Sequence, residues 1–136
     1  MIMTLGGTSF NQQDFPINKG DKVTVVREKD NPDDHDSHPA YAVMIEGARI
    51  GYIPKVEPIK AKQLQARQNN DLKAWERFSD KVNVLEYLRD CIYTDLTRNY
   101  LTPTGEVYGV RWLDGKDWNE EGRGERLSIS VIFDYQ

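Results

Sequence analysis

Short stretches of this chain alternate apolar and polar residues, which is typical of β-strands with one buried face. Valines alternate with polar residues in segment 22–28, and segment 40–45 is apolar and strand-like. Glu46-Gly47 then favours a hairpin turn, after which segment 48–53 returns as the next strand and ends at Pro54. Segment 5–10, which contains two glycines, is interpreted as a further short strand.

The middle of the chain has the apolar spacing of helices. Segment 56–99 is rich in Lys, Gln, Ala, Leu, Arg and Glu, which are good helix formers. It predicts one helix over residues 59–68 and a short amphipathic piece marked by Leu72, Trp75 and Phe78. Apolar residues then recur every three or four positions, which predicts a helix packed on a core: Val82, Leu85, Leu88, Ile92 and Leu96.

The last third of the chain predicts a β-hairpin. Residues 102–105 favour a turn, and the strand after it is expected to place Val107, Gly109, Arg111 and Leu113 on one face. A polar loop over residues 115–124 leads to a strand in which apolar and mostly polar positions alternate from residue 127 to 134. Strands, then helices, then strands predict an α+β fold in which the β parts close as a small barrel around one core.

Length and composition fit one domain. With 136 residues, residues 1–136 are expected to form a single domain, divided into a core motif region (6–62), a helical segment (63–99) and the C-terminal hairpin (100–136). The single cysteine, Cys91, excludes an intrachain disulfide and favours a reducing compartment. No stretch approaches the roughly 20 apolar residues of a membrane helix, so we expect a cytoplasmic protein without a membrane partner. The oligomeric state stays open.

The charge is unevenly distributed. The net charge of −4 argues against strong non-specific nucleic-acid binding, which depends on Lys and Arg neutralising phosphates. Residues 47–68, however, contain five basic residues and one acid, whereas residues 27–36 contain two basic residues and five acids. A locally basic face on an acidic protein is therefore possible.

Three separate motifs resemble the HIRAN family. A strand ending in Arg27-Glu28 is followed by Asp30-Asn31-Pro32-Asp33-Asp34, and an apolar strand then begins at Ala40. After the glycine hairpin comes Ile50-Gly51-Tyr52-Ile53-Pro54-Lys55, which is similar to the family's G-Y-[LI]-P-[RK] ending. The opening Gly7-Thr8-Ser9-Phe10 also fits the family's first strand. The resemblance covers about residues 6–62.

The resemblance implies a fold, a function and a site. HIRAN domains are compact barrels related to oligonucleotide-binding (OB) folds, and the best-understood eukaryotic example binds the 3′ end of single-stranded DNA. Matched by motif, the DNA-binding residues would be Phe10, Asn31, Asp34, Tyr52 and Lys55, and Lys60 and Lys62 could extend a phosphate path. Ser9 stands at the family's basic first-strand position.

Each of these residues also has a structural interpretation. Asn31 and Asp34 could cap a turn by accepting backbone N–H groups, as Asn and Asp after strands commonly do. Phe10 could belong to the core, and Tyr52 is open between core and stacking surface. Lys60 and Lys62 could be the solvated start of a helix.

Other candidate chemistry is weaker. His35 and His38 lie among aspartates, but their spacing matches no calcium loop and offers too few nitrogen or sulfur ligands for structural zinc, so we expect no metal and no cofactor. No catalytic motif is found, and we expect no enzyme. Trp112 and Trp118, with Tyr108, could form a partner-binding patch.

Three functions follow, in order of preference. The first is a non-catalytic DNA-binding domain for single-stranded DNA or DNA ends. The alternative is a protein-interaction or inhibitor protein of phage or bacterial origin, favoured by the acidic net charge and the charged loop over residues 114–125. The last is a metal-dependent nuclease that uses Asp30, Asp33, Asp34 and Asp36.

Overall fold

The computed structural model describes residues 1–7, 16–113 and 126–135. The chain is α+β, as predicted. Its elements are β1 (Ile2–Thr4), β2 (Lys22–Arg27), β3 (Tyr41–Ile45), β4 (Ala48–Tyr52), α1 (Glu57–Gln68), α2 (Leu72–Thr97), β5 (Thr104–Leu113) and β6 (Arg126–Phe133).

The six strands form one sheet in the order β1-β6-β5-β2-β3-β4, and all neighbours are antiparallel. The closed barrel expected from the sequence is not formed. A barrel needs a ladder between its first and last strands. Among the described residues that junction is a single residue pair, in which the backbone nitrogen of Gly6 donates to the carbonyl oxygen of Tyr52 at 2.9 Å and the backbone nitrogen of Tyr52 donates to the carbonyl oxygen of Gly6 at 2.8 Å.

The core lies between the sheet and the helices. Alternate residues of β2 and β6 point into it, and the stripe predicted for α2 is confirmed, because Val82, Leu85, Leu88 and Ile92 are all buried. The short piece predicted from Leu72 to Phe78 and the helix predicted from Val82 to Leu96 form one continuous helix. Asp71 caps the start of that helix, because its carboxylate accepts the N–H of Ala74 at 3.1 Å and satisfies an otherwise unpaired donor.

The hairpin turn at residues 46–47 is confirmed. Glu46 has φ 49° and Gly47 has φ 83°, the pair of positive values that a type I′ turn requires. The predicted turn at residues 102–105 is wrong in its second half, because Thr104 and Gly105 already belong to β5. The predicted strand over residues 5–10 is β1 at residues 2–4 instead, and residues 8–10 lie outside the described residues.

A β-bulge changes the predicted faces of β5. The register passes from Val107 opposite Val131 directly to Gly109 opposite Ser130, so Tyr108 is an extra residue. Beyond the bulge the alternation is reversed. Val110 is paired with buried Ile129 and therefore shares the face of Val107, whereas the sequence placed Gly109 and Arg111 with Val107.

Cys91 is partly exposed on α2. Within the described ranges, neither helix combines the length and the apolar character that a membrane crossing requires.

Candidate functional site

A cleft of about 300 Å³ opens where the end of β4 meets the loop between β2 and β3. Three of the predicted site residues, Asn31, Tyr52 and Lys55, line it together. They come from three segments: the loop after β2, the last residue of β4 and the connection to α1. The remaining lining residues are Gly6, Gly7, Asp33, Ala40, Tyr41, Ile53, Pro54 and Pro58.

Tyr52 forms the centre of a hydrogen-bond network at one wall of the cleft. Its hydroxyl donates to Oε1 of Glu28 at 2.7 Å and accepts from Nη1 of Arg49 at 2.6 Å. The Nδ2 amide of Asn31 donates to the same hydroxyl at 3.2 Å and to Glu28 Oε1 at 3.1 Å. Two side chains that were not predicted as site residues, Arg49 and Glu28 of the Arg27-Glu28 motif, therefore hold the predicted ones in place.

The charges in this network balance. Nη1 of Arg49 lies 3.7 Å from Oε2 of Glu28, and its guanidinium carbon lies 5.1 Å from the centre of the Tyr52 ring. Burial raises the pKa of Glu28, but hydrogen bonds from Tyr52 and Asn31 and the charge of Arg49 outweigh it, so the pKa lies below its usual value. Burial and the hydrogen bond to Glu28 raise the pKa of Tyr52. At neutral pH the carboxylate is thus ionised and the phenol is protonated.

The Tyr52 ring lies directly against the backbone at Gly7. That glycine has φ 65°, and a Cβ built on it would lie 2.8 Å from Cδ2 of the Tyr52 ring. A residue with a side chain would therefore push the ring away from this wall of the cleft. Gly7 is the first residue of the Gly7-Thr8-Ser9-Phe10 motif. The other three residues of that motif lie outside the described residues.

Asn31 has the turn-capping role that its structural interpretation predicted. Its Oδ1 accepts the backbone N–H of Asp33 at 2.8 Å, while its amide donates to Glu28 and Tyr52. The side chain thus ties the loop after β2 to the end of β4, and it also faces the cleft.

Asp34 does not line the cleft. Its carboxylate accepts two hydrogen bonds from the guanidinium of Arg27, at 3.0 and 2.9 Å, and the backbone N–H of Ala40 at 2.8 Å. These contacts lower the pKa of Asp34 to about 2, chiefly through the hydrogen bonds from Arg27. Asp34 therefore fixes the loop that leads to Ala40 and Tyr41, which do line the cleft.

Lys55 brings a positive charge to the cleft. Its ammonium donates to the carbonyl oxygen of Asp33 across the opening, so it is held near the loop after β2. Lys60 and Lys62 are exposed on α1 and are not among the lining residues. Lys60 instead lies 3.2 Å from Glu86 of α2. Phe10 lies outside the described residues.

A buried arginine on α2 binds the backbone on two sides of the cleft. Arg89 is 8% exposed, and its guanidinium donates to the carbonyl oxygens of Pro54 at 2.9 Å, of Ile53 at 3.3 Å and of Pro39. It also lies 4.8 Å from the centre of the Tyr41 ring, within the range of a cation–π contact. One side chain thus joins both strand ends that border the cleft to the helix.

The loop with two histidines forms its own contacts. The rings of His35 and His38 meet edge to face at 4.9 Å, and Asp36 accepts a hydrogen bond from Arg27 at 3.1 Å. In the described part of the chain, no three His, Cys, Asp or Glu side chains are grouped so that they could hold a metal ion.

Comparison with known proteins finds no relative. No protein-family model matches the chain, and neither a curated protein nor a solved structure matches it.

Proposed function

We propose that this protein binds single-stranded DNA, with a free end seated in the cleft lined by Asn31, Tyr52 and Lys55. The observation that carries the proposal is their convergence. Asn31 lies 21 positions before Tyr52 in the chain, whereas Lys55 belongs to the same motif as Tyr52, and the two motifs, which are similar to those of HIRAN domains, meet at one cleft. A structural role for each alone would not require a shared cavity.

The architecture is compatible with a variant of the OB-related barrel of HIRAN domains. The pair between Gly6 and Tyr52 links the two edges of the sheet at the cleft itself. We propose that this link is the remnant of barrel closure and that the cleft is the ligand groove of such a barrel.

The chemistry of the cleft suits the end of a strand. Lys55 supplies a cation for a phosphate, and the partly exposed ring of Tyr52 supplies aromatic surface beside it. The polar atoms of Glu28, Arg49, Asn31 and Tyr52 already bind one another, so the wall has its shape before a ligand arrives. A preformed wall lowers the ordering cost of binding.

The experiment is fluorescence anisotropy with a labelled single strand whose 3′ end is free, compared with the same strand carrying a blocked 3′ end. Both are titrated at low and at physiological salt. We expect tighter binding of the free-ended strand and an affinity that falls as salt rises. Lys55→Glu should abolish the binding, because it places an anion where the phosphate would lie.

Lys73→Glu is the matched control. Lys73 is exposed in the first turn of α2, where an acid is tolerated or mildly favoured by the helix dipole. Lys73→Glu makes the same change of charge as Lys55→Glu at a residue that does not line the cleft, so it should leave the affinity for DNA nearly unchanged. Circular dichroism should show both variants folded.

Three outcomes count against the proposal in different ways. Equal binding of free and blocked ends would replace end recognition with a general electrostatic groove. Equal losses in both variants would show an effect of net charge rather than of the cleft. No binding of either strand by the unaltered protein would overturn DNA binding and favour a protein partner.

A further inference from the structure

Tyr108 is an exposed aromatic residue on the outer face of the sheet. It is the extra residue of the β5 bulge, and 48% of its surface is exposed. It borders a shallow depression of about 400 Å³ whose floor includes Gly109, where a Cβ would meet nothing within 4 Å. Bulges commonly redirect a side chain, and this one leaves an open aromatic surface.

The surroundings of Tyr108 are cationic and hydroxylated. The ammonium of Lys19 lies 5.8 Å from the centre of its ring. Arg111 is exposed on the same strand, and Ser128 and Ser130 of β6 line the depression with it. We call Tyr108, Lys19, Arg111, Ser128 and Ser130 the Tyr108 platform. An aromatic surface beside cations and small donors is the chemistry that binds single-stranded nucleic acid without reading its sequence.

The outward side of β2 connects the platform with the cleft. The backbone carbonyl of Asp21, the residue before β2, accepts the N–H of Val107 at 2.8 Å, so this end of the strand lies beside the platform. Lys22, Thr24 and Val26 are exposed along β2. At the other end, Val26 is opposite Ala42 and Ala42 is opposite Tyr52, so the exposed side of β2 ends two strand spacings from the cleft wall, with the buried residue Ala42 between them.

The length of this path fits several nucleotides. Tyr108 lies two residues beyond Glu106, which is opposite Lys22, and Tyr52 is reached from Val26 through Ala42. The path from Tyr108 to Tyr52 therefore covers about six residues along the strands, about 20 Å, and three strand spacings, about 14 Å, which is a diagonal of roughly 25 Å. Several nucleotides span that distance, within the site sizes of about 4–16 nucleotides of known single-strand binders.

We propose that the Tyr108 platform is a second contact for single-stranded DNA, at which a base several nucleotides from the bound end stacks on Tyr108 while Lys19 and Arg111 meet its phosphates. This inference rests on the proposed function, because the strand reaches the platform from the cleft. The partner is a single strand rather than a duplex, since a base must be unpaired to stack.

The test compares two oligonucleotides with free 3′ ends, one of about four nucleotides and one of about twelve. Only the longer one spans cleft and platform. Tyr108→Ala should weaken binding of the longer strand about tenfold, the factor of a single base–aromatic stack, and leave the shorter one unchanged. Tyr108→Phe should bind like the unaltered protein, since stacking needs no hydroxyl. Lys55→Glu should weaken binding of both.

Tyr100→Ala is the control for loss of a surface aromatic. Tyr100 is 87% exposed between α2 and β5, and its removal should change neither affinity. Unchanged binding of the longer strand by Tyr108→Ala, with Lys55→Glu still impaired, would overturn the platform and leave the cleft standing. Equal weakening of both strands by Tyr108→Ala would also overturn it. Failure of the unaltered protein to bind either strand would instead overturn the proposed function.

Discussion

Replacing Arg89 with methionine should destabilise the protein by about 3 kcal/mol. The side chain is buried, and its guanidinium donates to three backbone carbonyls, of which those of Ile53 and Pro39 are in buried hydrogen bonds. Methionine keeps much of the length of the side chain and removes the donors. Each buried carbonyl left without its donor costs about 1–3 kcal/mol, and relief from burying the guanidinium offsets part of the sum.

The assay is urea unfolding at pH 7, followed by far-UV circular dichroism. With a slope near 2 kcal/mol per molar urea, a loss of about 3 kcal/mol lowers the midpoint by roughly 1.5 M. Arg89→Lys keeps the charge but offers one compact donor group in place of the fork, so we expect a smaller loss. Arg67→Met, at an exposed position near the end of α1, is the matched control and should stay within about 0.5 kcal/mol.

A loss below about 1 kcal/mol in Arg89→Met would refute the reasoning, because it would mean that water or backbone shifts replace all three donors. An equal loss in Arg67→Met would assign the effect to net charge instead. If the predicted loss is found, the helix contributes to the cleft directly, since Arg89 is the side chain that joins α2 to both borders of it.

Two further predictions concern the sheet and the loop before β3. Gly105→Ala should cost more than about 2 kcal/mol, because the new Cβ would lie 2.4 Å from the carbonyl oxygen of Ile132, whereas Gly109→Ala has open space and should cost less than about 1 kcal/mol; similar urea midpoints would contradict this. Asp34→Asn should destabilise the protein at pH 7, and the difference from the unaltered protein should shrink as the pH falls from about 4 to about 2. The folded pKa of Asp34, about 2, lies below its unfolded value of about 3.9, so its stabilisation is present above pH 4 and is lost toward pH 2. A difference that does not change with pH would show that the ion pair with Arg27 does not stabilise the fold.

Local patterns predicted the elements because burial repeats along them. The stripe from Val82 to Ile92 and the alternation in β6 depend on each element facing one core, and both are observed. The bulge at Tyr108 could not be predicted this way. One extra residue reverses which side chains face the core, although the residue types along the strand are the same. The only sequence signal of the bulge was the small residue Gly109 next to Tyr108.

Closure of the sheet is harder still to predict from local sequence patterns. It depends on how Gly6 meets Tyr52, which are 46 positions apart, and on β1 having three residues. No periodicity near either residue carries that information. The barrel was therefore predicted from the order of the elements, while the structure has an open sheet with one pair at the junction.

The same difference between local patterns and contacts of distant residues applies to the site. Asn31, Tyr52 and Lys55 could be grouped from the sequence because the spacing of their motifs is recognisable along the chain. Their partners Glu28 and Arg49 are ordinary charged residues in strand surroundings, and only the fold brings them within 4 Å of each other. Arg89 has one signal in the sequence, because it follows Leu88 and lies four positions after Leu85, on the apolar stripe itself. A charged residue on such a stripe indicates a buried polar contact.

The contacts around the cleft divide its residues into those that shape it and those available to a ligand. Glu28, Arg49, Asn31 and the Tyr52 hydroxyl are committed to one another, and Asp34 is committed to Arg27 and Ala40. A ligand that displaced any of them would have to replace hydrogen bonds to charged groups, each contributing about 1.5–3 kcal/mol. The side chain that can turn to a phosphate at lower cost is Lys55, which is bound to a single neutral carbonyl. Under the proposed function, the motif residues would act at two levels, in which Asn31 and Asp34 build the cleft and Lys55 meets the DNA strand. The same contacts reduce the negative charge near the cleft in a chain with a net charge of −4, because Glu28 is paired with Arg49 and Asp34 with Arg27.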